Sequence, residues 1–317
     1  MSNPAGVSKD IPDLVLANPT AGGGLGEETL PLLRRFAAER RWNVELRSAG
    51  DSAEFAQIAR EETCKGRTRI FALGGDGTFQ VLLNAVAGLG GVSIGVLPAG
   101  GGNDLAAALG LPRNPLHAAE AILQRGEMTC LDAAKVCTAD GVERLYMGGG
   151  GVGLDAEAAR FASGVYRKIR GRSRYLLSAI RALRGFRPLA LKISFQGPAQ
   201  KTIETEALVA GVLNTPSYGA GLRLAPGAIL DDGLLDLVIL ADLKLTEIVR
   251  ILPVLAVSGE IHTRKIQRSS IQQVRIETDR PCVFHGDGEV IGQTPVEVSV
   301  EPGAMNVWRV RRKESQN

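Results

Sequence analysis

Over the first 130 positions, apolar residues alternate between short unbroken runs and a spacing of three and four. Leu14-Val15-Leu16-Ala17 is an unbroken run, closed by the turn signal Asn18-Pro19. Between Glu28 and Arg41, residues Leu32, Leu33, Phe36 and Ala37 fall on helical spacing. The alternation continues with a strand at Val44 to Leu46 and a helix at Ala53 to Lys65, where Phe55, Ile58 and Ala59 share a side. Arg69 to Leu73 reads as a strand, and Phe79 to Ala87 as a helix through Val81, Leu82, Ala85 and Val86. Val92 to Leu97 is a further strand, followed by helices at Asp104 to Leu109 and Pro115 to Gln124. Strands alternating with helices predict a doubly wound, parallel α/β sheet.

After Gly126 the pattern changes. Ala134 to Cys137, Arg144 to Met147, Leu189 to Phe195, Glu206 to Leu213, Leu234 to Leu240, Gln273 to Thr278 and Val296 to Val300 are strand-like. Helical stretches remain at Asp155 to Ala162, Ser173 to Arg184 and Thr246 to Ser258. The expected organisation is a doubly wound α/β domain over 11–128 and a mostly β domain over 129–303. A last strand, Met305 to Val310, can return to either, and the tail from Arg311 is charged.

The chain of 317 residues is long enough for two such domains. Hydrophobic content of 44% and charged content of 22% are those of a globular protein. Aromatics make up only 4%, whereas Gly occurs 39 times, which predicts many tight turns. A net charge of +3 is too small to imply nucleic-acid binding, and no nucleic-acid motif is present. Cys64, Cys130, Cys137 and Cys282 form no CxxC pair, and His117, His262 and His285 lie far apart. That pattern predicts a reducing, cytoplasmic setting. Met1 to Pro12 lacks an apolar signal core, and no run approaches ~18 apolar residues. Any membrane contact is therefore expected to be peripheral.

The candidate chemistry sits in three glycine-rich loops that follow predicted strands: Asn18-Pro19-Thr20-Ala21-Gly22-Gly23-Gly24, Gly74-Gly75-Asp76-Gly77-Thr78 and Pro98-Ala99-Gly100-Gly101-Gly102-Asn103-Asp104. In an open parallel sheet such loops line one crevice at the carboxyl ends of the strands. Glycines let backbone N–H groups approach phosphate oxygens, and a helix beginning near Thr78 would add its positive end. Asp76 cannot bind phosphate directly, so it would hold magnesium or the attacking hydroxyl. GxxxxGK[ST] is absent, and so is GxGxxG after a first strand, which disfavours a P-loop ATPase and a dinucleotide dehydrogenase.

Two acidic turns stand out in the second half. Asp231-Asp232-Gly233 and Asp287-Gly288-Glu289 read either as hairpin turns or as carriers of a general base. Between Ala158 and Ile203 there is no Asp or Glu, but there are Arg160, Arg167, Lys168, Arg170, Arg172, Arg174, Arg181, Arg184, Arg187, Lys192 and Lys201. Leu176, Ile180 and Leu183 share a helical face there, with Tyr175 and Leu177 nearby. A basic segment with an apolar stripe, over 160–187, suits an anionic membrane surface. An ordinary core helix with a solvated basic face stays open as the other reading.

Taken together, these elements resemble the diacylglycerol kinase catalytic family, in its soluble bacterial lipid-kinase branch. The resemblance covers Leu14 to Val310. It rests on Asn18-Pro19-x-Ala21-Gly22, Gly74-Gly75-Asp76-Gly77-Thr78, Pro98-x-Gly100-x-x-Asn103-Asp104, Gly153-Leu154-Asp155-Ala156, Pro226-x-Ala228-x-x-Asp231-Asp232-Gly233 and Asp287-Gly288-Glu289. It implies a Rossmann-like α/β nucleotide domain, a C-terminal β-sandwich and a nucleotide cleft between them. It implies that Asn18, Pro19, Thr20, Ala21 and Gly22, with Gly74, Gly75, Asp76, Gly77, Thr78, Phe79 and Gln80, contact ATP. Gly100, Gly101, Asn103 and Asp104 would complete that cleft. The resemblance further implies Asp76 acting through Mg²⁺ and Glu289 as the base on a lipid hydroxyl. Asp232 and the backbone carbonyls of Ile229 and Leu234 would hold a second, structural Mg²⁺.

Two positions depart from the family pattern. Gly101 stands where Thr is usual, and Gly148, in the run Gly148-Gly149-Gly150-Gly151, stands where Asn is frequent. One lost hydrogen bond to a charged phosphate costs about 1.5–3 kcal/mol. The expectation is an ATP- and Mg²⁺-dependent kinase acting on a lipid alcohol at the inner membrane face, with a homodimer possible through a sandwich edge. A catalytically silent lipid- or nucleotide-binding module and a soluble-substrate kinase of the NAD kinase type are the alternatives.

Overall fold

Three strand–helix–strand crossovers, followed by two further helices, build the first half. In chain order they run β1 (Asp13–Ala17), α1 (Leu25–Arg40), β2 (Val44–Ser48), α2 (Ser52–Cys64), β3 (Arg69–Gly74), α3 (Asp76–Val86), β4 (Ser93–Pro98), α4 (Asp104–Ala108) and α5 (Pro115–Arg125). The strands are parallel, in the order β2-β1-β3-β4. Every residue of β1 and of β4 is buried, as expected for unbroken apolar runs covered on both faces. Helix starts follow local chemistry. The Asp51 carboxylate accepts from Ala53 N and Glu54 N at 2.8 Å to cap α2, and Asn114 caps α5 ahead of Pro115.

The computed structural model describes residues 11–154, 157–158, 161, 164–165, 177–178, 181–182, 186–219, 221–241, 243, 245–261 and 263–311. The second half continues as β5 (Glu127–Thr138), β6 (Glu143–Tyr146), β7 (Gly149–Gly153), β8 (Leu189–Gln196), β9 (Lys201–Leu213), β10 (Leu235–Ala241), α6 (Leu245–Val257), β11 (Ile266–Ile271), β12 (Gln273–Thr278), β13 (Val283–Gly286), β14 (Glu289–Gln293) and β15 (Val296–Arg309). Its strands pair antiparallel and wrap a second core as a β-sandwich. Along β8, Leu189, Leu191, Ile193 and Phe195 turn inward while Ala190 and Lys192 stay exposed.

Three local features differ from the sequence expectation. Helix α3 begins at Asp76, so Asp76, Gly77 and Thr78 form its first turn and are not a loop before it. Strands β7, β11, β13 and β14 form without a strand pattern, because glycine or polar residues fill them and backbone pairing to neighbours holds them. The two expected strands at Val296 to Val300 and Met305 to Val310 are one strand, β15, with a register shift between Glu301 and Met305. Strand β5 is likewise longer than the expected Ala134 to Cys137.

The long pair β5·β15 runs through both halves. Its far end joins the first sheet, where Asn306 and Val307 pair in parallel with Ser93 and Ile94 of β4. Side chains add further ties. Asn84 of α3 donates to Leu145 O at 2.8 Å and accepts from Leu145 N at 2.9 Å. Gln80 donates to Gly286 O at 3.1 Å.

Much of the expected basic segment, including Arg160, Arg167, Lys168, Arg170, Arg172, Arg174 and Arg184, lies outside the described residues, as do Tyr175, Leu176, Ile180, Leu183, Asp155 and Ala156. Within the description, the Arg181 guanidinium stands 5.1 Å over the Phe161 ring, and Leu177 is exposed. Among the described residues no helix is long and apolar enough to cross a membrane.

Candidate active site

Strands β1, β3 and β4 end on the same edge of the sheet, so the three glycine-rich loops meet there. Asn18 links the first two by donating from Nδ2 to Thr78 Oγ1 at 3.2 Å. Its Oδ1 accepts from Thr20 N at 3.1 Å and from Thr20 Oγ1 at 2.9 Å. Pro19 lies in that turn, and Ala21 and Gly22 lead into a single 3-10 turn. Gly74 ends β3 and Gly75 is the N-cap of α3. The second and third loops are joined by the Asp76 carboxylate, which accepts from Leu105 N at 3.1 Å and Asp104 N at 3.3 Å. Asn103 has φ 58° and folds its amide onto Gly100, accepting from Gly100 N at 3.0 Å and donating to Gly100 O at 2.9 Å. Gly101 sits in the same loop, half-buried. Phe79 is fully buried in the first core, so only its backbone can face a ligand, and the Gln80 side chain is engaged with Gly286.

The second half brings Asp287 and Glu289 to this edge. Asp287 and Gly288 form the tight turn between β13 and β14, with φ values of 49° and 87°. The buried Asp287 carboxylate accepts three backbone bonds, from Met147 N at 3.0 Å, Gly148 N at 2.9 Å and Gly149 N at 3.0 Å. Gly148 is what permits this, because a Cβ there would lie 2.6 Å from Asp287 Oδ1. Glu289 is exposed as a residue, but its carboxyl lies over the start of α3, where a Cβ on Gly77 would meet Oε1 at 2.7 Å.

Asp76, Asp104 and Asp287 thus share a small volume. Burial, with the charges of Asp104 and Asp287, pushes Asp76 up to about 7. Burial pushes Asp287 up to about 6 despite its three N–H partners. Partial burial also raises Glu289. From this cluster an apolar cavity of about 240 Å³ runs into the second half. Asp76, Asp104 and Asp287 line one part of it, and Leu208, Leu240, Ile251 and Leu255 line the rest. Helix α6 forms one wall, turning Ile248, Ile251, Leu252 and Leu255 toward it.

The 229–234 turn packs elsewhere, against β5 and β15. Asp132 is the centre of that contact. It is buried, and its carboxylate accepts from Gly233 N at 2.7 Å and Gly303 N at 2.8 Å. Its own N–H donates to Leu230 O at 2.8 Å. Asp232 is exposed and accepts from Leu234 N at 3.0 Å, and Ile229 is also exposed. Among the described residues no three Asp, Glu, His or Cys side chains converge closely enough to hold a metal ion by themselves. Magnesium commonly uses one or two carboxylates and completes its shell with water and substrate phosphates. The Asp76–Asp104 pair would be a donor set of that kind, and Asp76 is raised first by burial and then by the charges of Asp104 and Asp287. Asp232 with the carbonyls of Ile229 and Leu234 would likewise be an all-oxygen set.

Asp132, Tyr218 and His285 escape sequence reading. Asp132 sits inside an apolar strand with no motif around it, and Tyr218 and His285 are far apart in the chain. Only the pairing of β7 with both β9 and β13 brings the last two together.

Comparison with known proteins extends along the same two halves. Residues 12–136 match the family described as "Diacylglycerol kinase catalytic domain", and residues 149–309 match "YegS C-terminal NAD kinase beta sandwich-like domain". The chain is 28% identical over 297 residues to a "Diacylglycerol kinase" of Mycobacterium tuberculosis, covering 93% of this chain and 94% of that one. It is 31% identical over 288 residues to a "Probable lipid kinase YegS-like" of Pseudomonas fluorescens, covering 89% and 92%. A crystal structure of diacylglycerol kinases from Bacillus anthracis strain Sterne superposes with a TM-score of 0.67 at 19% identity, over 97% of this chain and 99% of that one, which speaks to the fold. Matches of this length leave neither the loop-bearing sheet nor the sandwich behind the cavity unaccounted for, and the chain belongs to the diacylglycerol kinase family of lipid kinases.

Proposed function

We propose that the chain transfers the γ-phosphate of ATP, in the presence of Mg²⁺, to the hydroxyl of a lipid such as diacylglycerol. The observation that carries this reading is the cavity. Its walls are aliphatic, as an acyl chain requires, and it begins at the Asp76, Asp104 and Asp287 carboxylates beneath the glycine loops. A soluble acceptor of the NAD kinase type would leave that apolar volume unused.

In this reading Asn18 to Gly22, Gly74 to Gln80 and Gly100 to Asp104 cradle the triphosphate. The positive end of α3 and backbone N–H groups face it, because the side chains of Asn18, Gln80 and Asn103 are engaged within the protein. Glu289 takes the proton of the lipid hydroxyl as that oxygen bonds to the γ-phosphorus. The bond from the γ-phosphorus to the bridging oxygen then breaks and leaves ADP. The raised pKa of Glu289 makes it a better base than an exposed carboxylate. Magnesium, held through Asp76, neutralises phosphate charge when bound. A second ion at Asp232 and the carbonyls of Ile229 and Leu234 would brace the 229–234 turn. We assign the basic segment 160–187 to contact with an anionic membrane on its cytoplasmic side, and a homodimer through a sandwich edge remains part of the proposal.

Transfer of labelled γ-phosphate from ATP–Mg²⁺ to a panel of lipids in mixed micelles tests the reading, with Glu289→Ala beside wild type. One lipid should be labelled, and the variant should lose about a hundredfold or more in kcat. Undiminished transfer in Glu289→Ala would remove the base assignment. ATP binding without transfer to any lipid would favour the silent module suggested by Gly101 and Gly148.

A further inference from the structure

Helix α6 closes the cavity on one side with Ile248, Ile251, Leu252 and Leu255. That spacing of three and four uses one face of the helix. The opposite face runs through Arg250, Pro253, Val254 and Val257 at the same spacing, and it is turned outward. Val257 is 77% exposed and Val254 38%. A surface helix of a globular protein normally carries polar or charged residues there. After Arg250, α6 has none, so its last two turns are apolar on both faces although only the inner one meets protein. Its one acid, Glu247, is tied to Lys265 Nζ at 2.8 Å.

Cations flank this end of the helix. Gly259 stops it with φ 74°, returning its N–H to Val254 O at 2.9 Å. Arg223 is built against that stop: its N–H donates to Leu255 O at 2.7 Å, and a Cβ on Gly259 would stand 2.8 Å from Arg223 Cβ. The Nε of Arg223 is buried and, among the described residues, has no hydrogen-bond partner. Arg268 holds the same corner, donating to Leu224 O at 2.6 Å and Gly259 O at 3.0 Å. From Ile248 to Ile276 the sequence has one acid, Glu260, against Arg250, Arg264, Lys265, Arg268 and Arg275.

An exposed aliphatic face flanked by cations fits a bilayer with anionic headgroups, which offers hydrocarbon and phosphate at adjacent depths. A second copy of the chain fits it less well, because a two-fold contact would set like charges against each other. The cavity lies behind the same helix, so one helix thickness separates a bound acceptor from this surface. We infer that α6 docks the enzyme on an anionic bilayer, with Val254 and Val257 among the acyl chains and Arg223 at the level of the phosphates. The acceptor then reaches the cavity without crossing water. This rests on the lipid-kinase reading for the occupant of the cavity, and adds the surface through which that occupant arrives, one made by residues other than segment 160–187.

The test measures sedimentation with vesicles of phosphatidylcholine, with and without phosphatidylglycerol, and the fluorescence of Val257→Trp on vesicles with brominated acyl chains. Bromine should quench the introduced indole beyond the background of Trp42 and Trp308, which wild type supplies. Val254→Ser/Val257→Ser should weaken vesicle binding about tenfold, and Arg223→Gln about fivefold on the anionic vesicles alone. With a short-chain diacylglycerol dissolved as monomers, transfer from ATP–Mg²⁺ should be unchanged in all of these variants, which separates docking from loss of folded enzyme. Vesicle binding that leaves the indole unquenched would place docking on another surface and overturn the inference. So would a wild-type dimer that Val254→Ser/Val257→Ser splits with vesicle binding unchanged, since a second copy would then cover the face. Quenching without transfer to any lipid would sustain this surface and overturn the kinase reading; transfer without quenching would do the reverse.

Discussion

Gly148 shows how one missing side chain can be read two ways. Read from the sequence, it is a lost hydrogen bond to the nucleotide. In the structure it is the seat of Asp287, whose Oδ1 occupies the space of a Cβ and accepts the Gly148 N–H. The readings predict opposite results for Gly148→Asn. The lost-contact reading predicts tighter ATP binding. The geometry predicts displacement of Asp287, destabilisation by about 1–3 kcal/mol and weaker transfer, which a melting curve and the lipid assay would separate. Asp76 gives a pH signature. Burial and the neighbouring carboxylates push its folded pKa up to about 7, above the ordinary aspartate value of about 3.8, so the fold favours the protonated form. That contribution is complete below about pH 4 and drains away as pH rises through 7. In metal-free buffer, Asp76→Asn should therefore match wild type near pH 4 and melt about 2 °C or more higher at pH 8, while losing transfer. Equal melting temperatures at pH 8 would contradict the assignment. At this scale the motifs were legible but their partners were not. Asp287-Gly288 was open between a turn and a carrier of chemistry; it forms the turn, and the positive φ values that make it also aim the Asp287 carboxylate at β7.

Among the elements, those with a strong apolar period could be read and those without one could not. The buried run of β1 and the three-four spacing of α1 were visible. Strand β7 was not, because Gly149-Gly150-Gly151 carries no alternation and its pairing with β9 and β13 comes entirely from the backbone. The polar β11 and the four-residue β13 failed for the same reason. Yet β7 and β13 bring Asp287 and His285 to the site, so the least legible strands are those closest to the chemistry. Helix α3 links the levels: its first turn holds Asp76 and its third holds Asn84. The two bonds of Asn84 to Leu145 tie the glycine loop to β6 of the other half. Asn84→Ala would leave both Leu145 groups without that partner, at a cost of about 1–3 kcal/mol. It should also lower transfer more than ATP affinity, because the sandwich would no longer be held in register with the loop. Equal loss in both would locate the effect within the first half alone.

The whole molecule is less divisible than its two cores suggest. Strands β5 and β15 belong to both: β15 pairs with β5 along its length, with β12 at one end and with β4 at the other. Heat should therefore unfold the chain in a single transition, with calorimetric and van't Hoff enthalpies in agreement, and two resolved peaks would show independent halves. The sequence placed a strand near Met305 but left its destination open, since a pairing across some two hundred residues leaves no local trace. That pairing has a consequence for how the protein is made. Strand β4 ends at Pro98, and the strand that covers its free edge ends at Arg309. At about 5–20 residues per second, the ribosome needs roughly ten to forty seconds to cross that interval. Throughout it the emerging first sheet presents β4 to the cell with one edge unpaired, although the finished fold buries every residue of it. A nascent chain stalled anywhere in between should be a client of chaperones that guard such edges, and release of the final strand, not completion of the glycine loops, is the event that ends that dependence.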